Sequence, residues 1–356
     1  MTDALGVGLI GYGVAGRVFH APVIAAVEGL RLLKVVERRA EESRRRYPWV
    51  EVVRDADTLF EDEAVELVVV ATPNESHFEL ARRALAAGRH VVVEKPFAVT
   101  SAEAEELTGL ARDRGRVVTA YHNRRWDGDF LTVRRILGDG LLGRLLEYES
   151  RYDRFRDEPR PGAWRERAGP GAGLLYDLGP HLIDQALVLF GRPRAVEADV
   201  RRERSFAVTD DFFDITLHYD RGPRVKLSAG MLARDPTPRF RLRGDAGSFV
   251  KYGLDPQEAA LKEGRTPAGP GWGAEPPEQW GTLDTKTDGA HTTRRVETLA
   301  GRYQDFYRDV AAAIRGRAEP AVKPEDARDV IRIIELAFRS SAERRVIPYS
   351  SGESKC

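Results

Sequence analysis

Three groups of residues have types and spacings suited to chemistry. The first is Gly11-x-Gly13-x-x-Gly16, entered from the apolar run Val7–Ile10. A glycine-rich turn between strand and helix lets backbone approach a pyrophosphate. The helix N-terminus, with Val14 and Ala15 in its first turn, then faces the phosphate charge. Such a motif is weak alone, but a second apolar strand follows, and Glu37 stands 21 residues after Gly16, where a ribose-contacting acid is expected. The second group is Glu94-Lys95-Pro96, closing the apolar run Val91–Val93. A lysine at a strand's carboxyl edge can hydrogen-bond a substrate oxygen and stabilise an alkoxide as it forms. A surface Glu-Lys pair in a loop is the equal alternative. Only 8 of the 56 lysines plus arginines are lysine; chance alone leaves several, so a retained lysine is a mild pointer to a place where a compact ammonium matters. Pro96 fixes the following turn, where a cis peptide bond is at home. The third group is Asp177-x-x-x-His181 with Asp184. On one helix these side chains share a face. Pro180 predicts a helix that begins near Gly179, with Asp177 just outside it. Either way a carboxylate lies near a histidine, the arrangement of a general base with its tautomer set. A capping aspartate beside a packed histidine is the plain alternative. A metal centre is not expected, since no second histidine has coordinating spacing and no cysteine helps.

The elements that must position these residues alternate regularly in the first third. Strands are predicted at Gly6–Ile10, Leu32–Val36, Leu67–Ala71, His90–Glu94 and Val117–Tyr121. Helices are predicted at Val14–Val27, Ala40–Tyr47, Ser76–Ala87 and Ala102–Arg114. The strands are short and almost wholly apolar, as in a parallel sheet covered on both faces. The alternation implies an α/β, doubly wound Rossmann sheet, whose ligands lie beyond the carboxyl ends of the strands. The candidate residues fall there: the glycine turn, Glu37 with Arg38 and Arg39, Thr72-Pro73-Asn74 with His77, Glu94-Lys95, and Tyr121 with Asn123. Tyr121 and Trp126 suit a core equally well. After a helix over Asp129–Leu137 the pattern changes to longer strands with partial alternation, at Leu145–Tyr152, Ala195–Arg202, Phe212–Tyr219, Val225–Leu232, Phe240–Gly244 and Phe249–Tyr252. They predict an α+β domain with an open, mostly antiparallel sheet, one face on helices and the other a candidate subunit interface. Final helices are expected at Tyr303–Arg315 and Pro324–Glu343. Residues Asp255–Gly301, rich in Gly, Pro and charge, read as a long excursion with little regular structure. The domains expected are 1–123 for the dinucleotide and 124–356 for substrate and oligomerisation. Tyr152, Arg154, Trp164 and Arg165 add the polar and aromatic groups that bind polyols.

At 356 residues the chain suits two domains. Its zero formal net charge favours neither nucleic acid nor an anionic membrane. No apolar run approaches the length of a membrane span. The first strand begins almost at once, and the one cysteine is Cys356. These features lead to the expectation of a soluble cytoplasmic protein without disulfides.

Taken together and in this order, the glycine motif, Glu94-Lys95-Pro96 and Asp177-x-x-x-His181 resemble the glucose–fructose oxidoreductase and inositol dehydrogenase (Gfo/Idh/MocA) family over nearly the whole chain. Phe19-His-Ala-Pro22, Thr72-Pro-Asn74, His122-Asn-Arg-Arg-Trp-Asp127 and Lys251-Tyr-Gly-Leu-Asp-Pro-Gln-Glu258 look like its bacterial scyllo-inositol 2-dehydrogenase branch. The resemblance implies dimers or tetramers joined through the open sheets. It also implies hydride transfer between a nicotinamide and a sugar or cyclitol carbon. The family's catalytic residues carry over to Lys95, Asp177 and His181, Trp164-Arg165 resembles a pair at the nicotinamide end, and Asp184 resembles a supporting acid. For the cofactor, Glu37 suits NAD, whereas Arg38 and Arg39 suit the 2′-phosphate of NADP. Glu37 falls one position before the acid of typical NAD-specific relatives, which favours NADP. The resemblance leaves two alternatives open: reduction of an acyclic or anhydro sugar ketone, and a non-catalytic dinucleotide sensor.

Overall fold

In the computed structural model, which describes residues 4–159, 167–287 and 290–349, the chain parts into two units. The first holds the chain up to Asp127 together with Pro256–Gly273 and Gly301–Ile331. The second holds Gly128–Asp255, Ala274–Ala300 and the chain from Arg332 onward. The expected single boundary after residue 123 does not describe this division, because later segments return to the first unit. Their return has a physical cause: Tyr303, Phe306, Tyr307, Val310 and Ala311 are buried in the same core as the first strands.

Six parallel strands form the first unit's sheet: β1 (Leu5–Ile10), β2 (Leu30–Val36), β3 (Glu51–Val53), β4 (Leu67–Val70), β5 (His90–Val93) and β6 (Val118–Ala120). Their order is β3-β2-β1-β4-β5-β6, the dinucleotide-binding order, whose crevice lies at the switch point between β1 and β4. Every residue of β1 and β4 is buried, which is why these strands read as unbroken apolar runs. Helices α1 (Ala21–Ala25), α2 (Glu42–Arg46), α3 (Asp57–Glu61), α4 (His77–Ala86) and α5 (Ser101–Asp113) fill the connections. The predicted helix over Val14–Val27 is split. Residues Ala15–His20 form a π-helical turn before α1. Pro22 accounts for it, since a proline four residues beyond Val18 in an unbroken α-helix lacks a donor and crowds that carbonyl.

The second unit carries α6 (Gly128–Gly138), β7 (Leu145–Arg151), α7 (Leu174–Phe190), β8 (Ala195–Arg201), β9 (Phe212–His218), β10 (Arg224–Gly230), β11 (Phe240–Gly244) and β12 (Gly247–Lys251). In the first unit, α8 (Gln257–Lys262) follows. The second unit's sheet is completed by β13 (Gly281–Thr287), β14 (Ala290–Val296) and β15 (Ile347–Pro348). Helix α9 (Gln304–Ile314) and the start of α10 (Pro324–Glu343) belong to the first unit. The nine strands run β14-β13-β12-β11-β7-β10-β9-β8-β15, antiparallel except for β7 with β10. Residues 255–301 are therefore not the irregular excursion predicted: they contain α8 and the β13–β14 hairpin. The hairpin escaped notice because β14 is exposed at six of its seven positions. An edge strand wet on both faces shows no alternation and is held by backbone pairing to β13.

Candidate active site

In the first unit the glycine turn separates two demands. Gly11 has φ 97°, and a Cβ there would lie 2.6 Å from the Ala71 carbonyl; a Cβ on Gly16 would collide with the Gly11 carbonyl. Both glycines are required by the protein's own packing. At Gly13 a Cβ would meet nothing within 4 Å. Nothing in the protein calls for a glycine there, which fits a surface kept clear for close approach of a pyrophosphate. Val14 and Gly13 are exposed, Ala15 is half-buried, and the helical turn begins without a side-chain cap. Its orphan N–H groups suit an anion.

The next strand end differs from expectation. Glu37 is 7% exposed and accepts hydrogen bonds from the backbone N–H groups of Glu42 (3.0 Å) and Ser43 (2.8 Å). Its carboxylate braces the start of α2 through charge-assisted bonds. Those partners lie five and six residues on, outside the spacing of a capping box. Arg38 and Arg39 are exposed beside it. Burial raises the pKa of Tyr12, and Arg46, Glu37, Arg17 and Glu42 are close enough to act on it. Arg17 and Arg46 thus join this end of the crevice. The sequence hinted only at Arg17, directly after the third glycine.

At the ends of β4 and β5, His77 ties two loops together. Its ring nitrogens lie 2.8 Å from the Pro96 carbonyl oxygen and 2.9 Å from that of Thr72. Pro73 is exposed, Asn74 is buried, and the Ser76 hydroxyl donates to Thr72 Oγ1 at 2.7 Å. The Lys95–Pro96 peptide is cis, and Lys95 is half-buried. Glu94 folds back so that its Oε2 accepts the Lys95 N–H (2.8 Å), while its Oε1 lies 3.2 Å from His20 Nε2. Asn123 is buried at the start of a 3-10 turn. Tyr121 proves to be core: it is 1% exposed, donates to the Phe19 carbonyl at 3.0 Å and packs against His20, Phe306 and Tyr307.

In the second unit the Asp/His segment forms one helix. Helix α7 starts at Leu174, not near Gly179, so Asp177 lies in its first turn and Pro180 inside it. The helix begins early because Gly173 and Asp210 build its cap. Gly173 has φ 95°, the Asp210 carbonyl accepts from Leu174 N–H (2.9 Å), and its carboxylate accepts from Leu175 N–H (2.7 Å). Burial pushes the Asp210 carboxyl up to about 6, against the pull of those N–H bonds. Asp177 is half-buried, and His181 and Asp184 are buried on the following turns. The His181 ring lies 6.5 Å from that of Tyr152, which is itself buried. Arg154 is half-buried. Trp164 and Arg165 lie outside the described residues.

Beneath α7 sits a cation that sequence reading passed over. Arg239 is buried with its guanidinium 4.1 Å from the ring centres of both Tyr152 and Phe240. It donates to Gln185 Oε1 at 2.8 Å and to Ser150 Oγ, with Asp129 Oδ2 3.7 Å away. Gln185 is one turn beyond His181, so Arg239 anchors the histidine's helix to β7. Nothing distinguishes it in sequence from the other arginines. Among the described residues no cluster of three His, Cys, Asp or Glu could hold a metal, and no helix is long and apolar enough to cross a membrane.

A Rossmann sheet with a glycine turn cleared for a pyrophosphate, joined to an open-sheet α/β unit, defines a dinucleotide-dependent oxidoreductase. The chain belongs to the Gfo/Idh/MocA oxidoreductase family: its NAD-binding Rossmann fold model matches residues 5–122, and its C-terminal alpha/beta domain model matches residues 134–349. Scyllo-inositol 2-dehydrogenase (NADP(+)) of Bacillus subtilis is 41% identical over 97% of this chain and 96% of its own length. Levoglucosan dehydrogenase of Pseudarthrobacter phenanthrenivorans is 31% identical over 54% of this chain and 53% of its own. The solved yvaA oxidoreductase structure from Bacillus subtilis superposes with a TM-score of 0.95 at 40% identity, covering 98% of this chain and 99% of that one.

Proposed function

We propose that the protein is an NADP-dependent cyclitol or sugar dehydrogenase that interconverts a secondary alcohol and its ketone, scyllo-inositol being the first substrate to try. The observation that carries NADP is the engagement of Glu37. An acid that chelates the ribose hydroxyls must be available, and this one accepts two backbone N–H groups of α2, leaving Arg38 and Arg39 exposed for a 2′-phosphate. The Bacillus relative named for NADP(+) and scyllo-inositol supports the same reading. The glycine turn would hold the pyrophosphate, with Thr72, Pro73 and Asn74 along the next strand end. The bound dinucleotide supplies the nicotinamide carbon that exchanges hydride with the substrate carbon.

The chain's own residues then handle the oxygen. His181 takes the hydroxyl proton as general base. Lys95 hydrogen-bonds that oxygen and stabilises its negative charge. Asp177 orients His181 or grips a neighbouring hydroxyl, and Asp184 supports that group. Reduction of the ketone runs the same proton steps in reverse. We place the reaction in the cytoplasm. We also assign the charged outer face of the nine-stranded sheet to a homodimer or homotetramer. There Glu149 pairs with Lys226 at 3.4 Å and Glu147 with Arg243 at 3.7 Å.

The test is a panel of inositols and aldoses with NAD+ and with NADP+, read at 340 nm. Turnover of a cyclitol with NADP+ is expected. Tight dinucleotide binding without turnover of any substrate would favour a sensor instead. Lys95→Ala and His181→Ala should each lower kcat by more than about tenfold with nearly unchanged dinucleotide affinity. Full activity in either variant removes that residue from the mechanism.

A further inference from the structure

Behind Lys95 lies a chain of buried polar groups that the reaction itself does not require. The Tyr307 hydroxyl on α9 is 2.6 Å from His20 Nδ1, His20 Nε2 is 3.2 Å from Glu94 Oε1, and Glu94 Oε2 accepts the Lys95 backbone N–H at 2.8 Å. Tyr307 and His20 are fully buried, and Glu94 is 8% exposed. One hydrogen placement satisfies every group: Tyr307 donates to Nδ1, Nε2–H donates to Glu94, and the carboxylate accepts at both oxygens. The opposite histidine tautomer would set a lone pair against the carboxylate. The acceptor-only carboxylate selects the tautomer with the proton on Nε2, and the phenol supplies the donor that Nδ1 then needs. Burial opposes that anion, but the hydrogen bond from His20 and the Lys95 cation nearby outweigh it and hold the carboxyl below its ordinary value.

The placement of these groups is not incidental to the fold. His20 ends the widened π turn that precedes Pro22. Tyr307 comes from α9, more than 280 residues along the chain, yet is buried in the same unit. The groups facing Glu94 are His20 from the π turn, Lys95 at its own strand end, His77 from α4, Tyr307 from α9, and Tyr121 after β6, with Arg124 and Asp127 acting on Tyr121 from the next turn.

The geometry points to Tyr307, His20 and Glu94 as a positioning relay for Lys95, which clamps the lysine's backbone N–H and keeps a charged carboxylate one residue from its side chain. The relay rests on the catalytic role proposed for Lys95. None of its three members is a catalytic residue, since each acts through Lys95. Glu94, expected from sequence to bind cofactor, has both oxygens engaged within the protein. The sign follows from charge. A fixed anion favours a neighbouring ammonium, so Glu94→Gln is expected to bring the alkaline loss of activity to lower pH.

The experiment measures kcat against pH for the holoenzyme, with dinucleotide affinity and melting temperature alongside, in wild type, Lys95→Ala, Glu94→Gln and Tyr307→Phe. Lys95→Ala is expected to be nearly inactive. If it is fully active, the reading of the site fails and the relay fails with it. With Lys95→Ala inactive, Glu94→Gln should move the alkaline limb down by about one pH unit and lower kcat more than it changes KM or dinucleotide affinity. Tyr307→Phe, which removes one oxygen atom, should shift the limb the same way by less. An unmoved limb in a folded Glu94→Gln protein overturns the relay and leaves the site standing. Should Glu94→Gln fail to fold, Tyr307→Phe decides by the same criterion.

Discussion

The end of β5 and the first turns of α7 each hold a side chain proposed for catalysis, and they do so with different materials. At β5 the support is a parallel sheet. Val91, Val92 and Val93 are buried, the chain turns at a cis-proline, and Glu94 and His77 tie the turn down through bonds to nearby backbone. At α7 the support comes from afar: a cap from Asp210 and a buried guanidinium from Arg239, 35 and 54 residues from their partners. Strand ends in a doubly wound sheet inherit their position from the sheet. A helix on an open antiparallel sheet has to be placed by specific polar contacts. Mutations should therefore separate binding from folding in the first region and join catalysis to stability in the second.

The largest effect on binding is expected where those properties separate most cleanly. Gly13→Val adds atoms where the protein has open space, so the fold should melt near the wild-type temperature. Dinucleotide binding should weaken by about 100-fold or more, some 2.7 kcal/mol. Gly16→Val puts the same atoms against the Gly11 carbonyl and should fail to fold. Fluorescence titration and thermal melts read both. Equal dinucleotide affinity in Gly13→Val and wild type would remove the turn from the binding site.

The contrasting case is Arg239→Met. It keeps bulk between Tyr152 and Phe240 but leaves Asp129 without its nearby cation. Breaking a buried charge pair costs about 3 kcal/mol, and loss of the Gln185 bond loosens the turn after His181. Denaturant unfolding should show the loss and kcat should fall with it. A stable variant with normal kcat would show that α7 does not depend on this anchor.

A smaller effect returns to the first region. Arg38→Ala and Arg39→Ala should each weaken NADP+ relative to NAD+ by about tenfold, near 1.4 kcal/mol, with melting unchanged, because both side chains are exposed. Glu37→Gln removes a charge that braces α2, so it should lower stability more than it alters the NADP+/NAD+ ratio. If Glu37→Gln instead raises NADP+ affinity strongly, the carboxylate faces the ribose after all.

The same contrast explains what the sequence disclosed. The glycine turn, the strand ends and Lys95 were legible because each depends on neighbours within a few residues and on apolar runs buried on both faces. The side of the crevice that each residue serves was not legible. Glu37 braces α2 with bonds at unusual spacing, Tyr121 enters an aromatic core completed by α9, and Glu94 turns toward a histidine 74 residues earlier. In the second unit the placing of Asp177 and His181 on successive turns of one helix was legible, but the start of that helix was misplaced. Pro180 reads locally as a helix start, and the true cap is Asp210. Arg239 had no local signal, and β14 had none either, since its ladder is made by backbone. Periodicity reports burial, and these residues are placed by polar bonds, ring packing or a backbone ladder that periodicity does not record.

The Asp210 cap permits the finest test, because it predicts a slope and not a level. Its carboxyl is raised by burial to about 6 from 3.8. Between those values the folded chain retains a proton that the unfolded chain has released. Stability linked to this group is fully present below the unfolded value and is lost as pH rises through the folded one, then stays flat. Asp210→Asn keeps an oxygen for the Leu175 N–H and has no proton to release. Relative to wild type, the variant should therefore gain stability between about pH 4 and pH 6 and hold that gain at pH 8. Thermal melts of both proteins across this range read the difference. Parallel curves would mean that Asp210 is solvated like a surface carboxylate, and the start of α7 would then need another explanation than a buried cap.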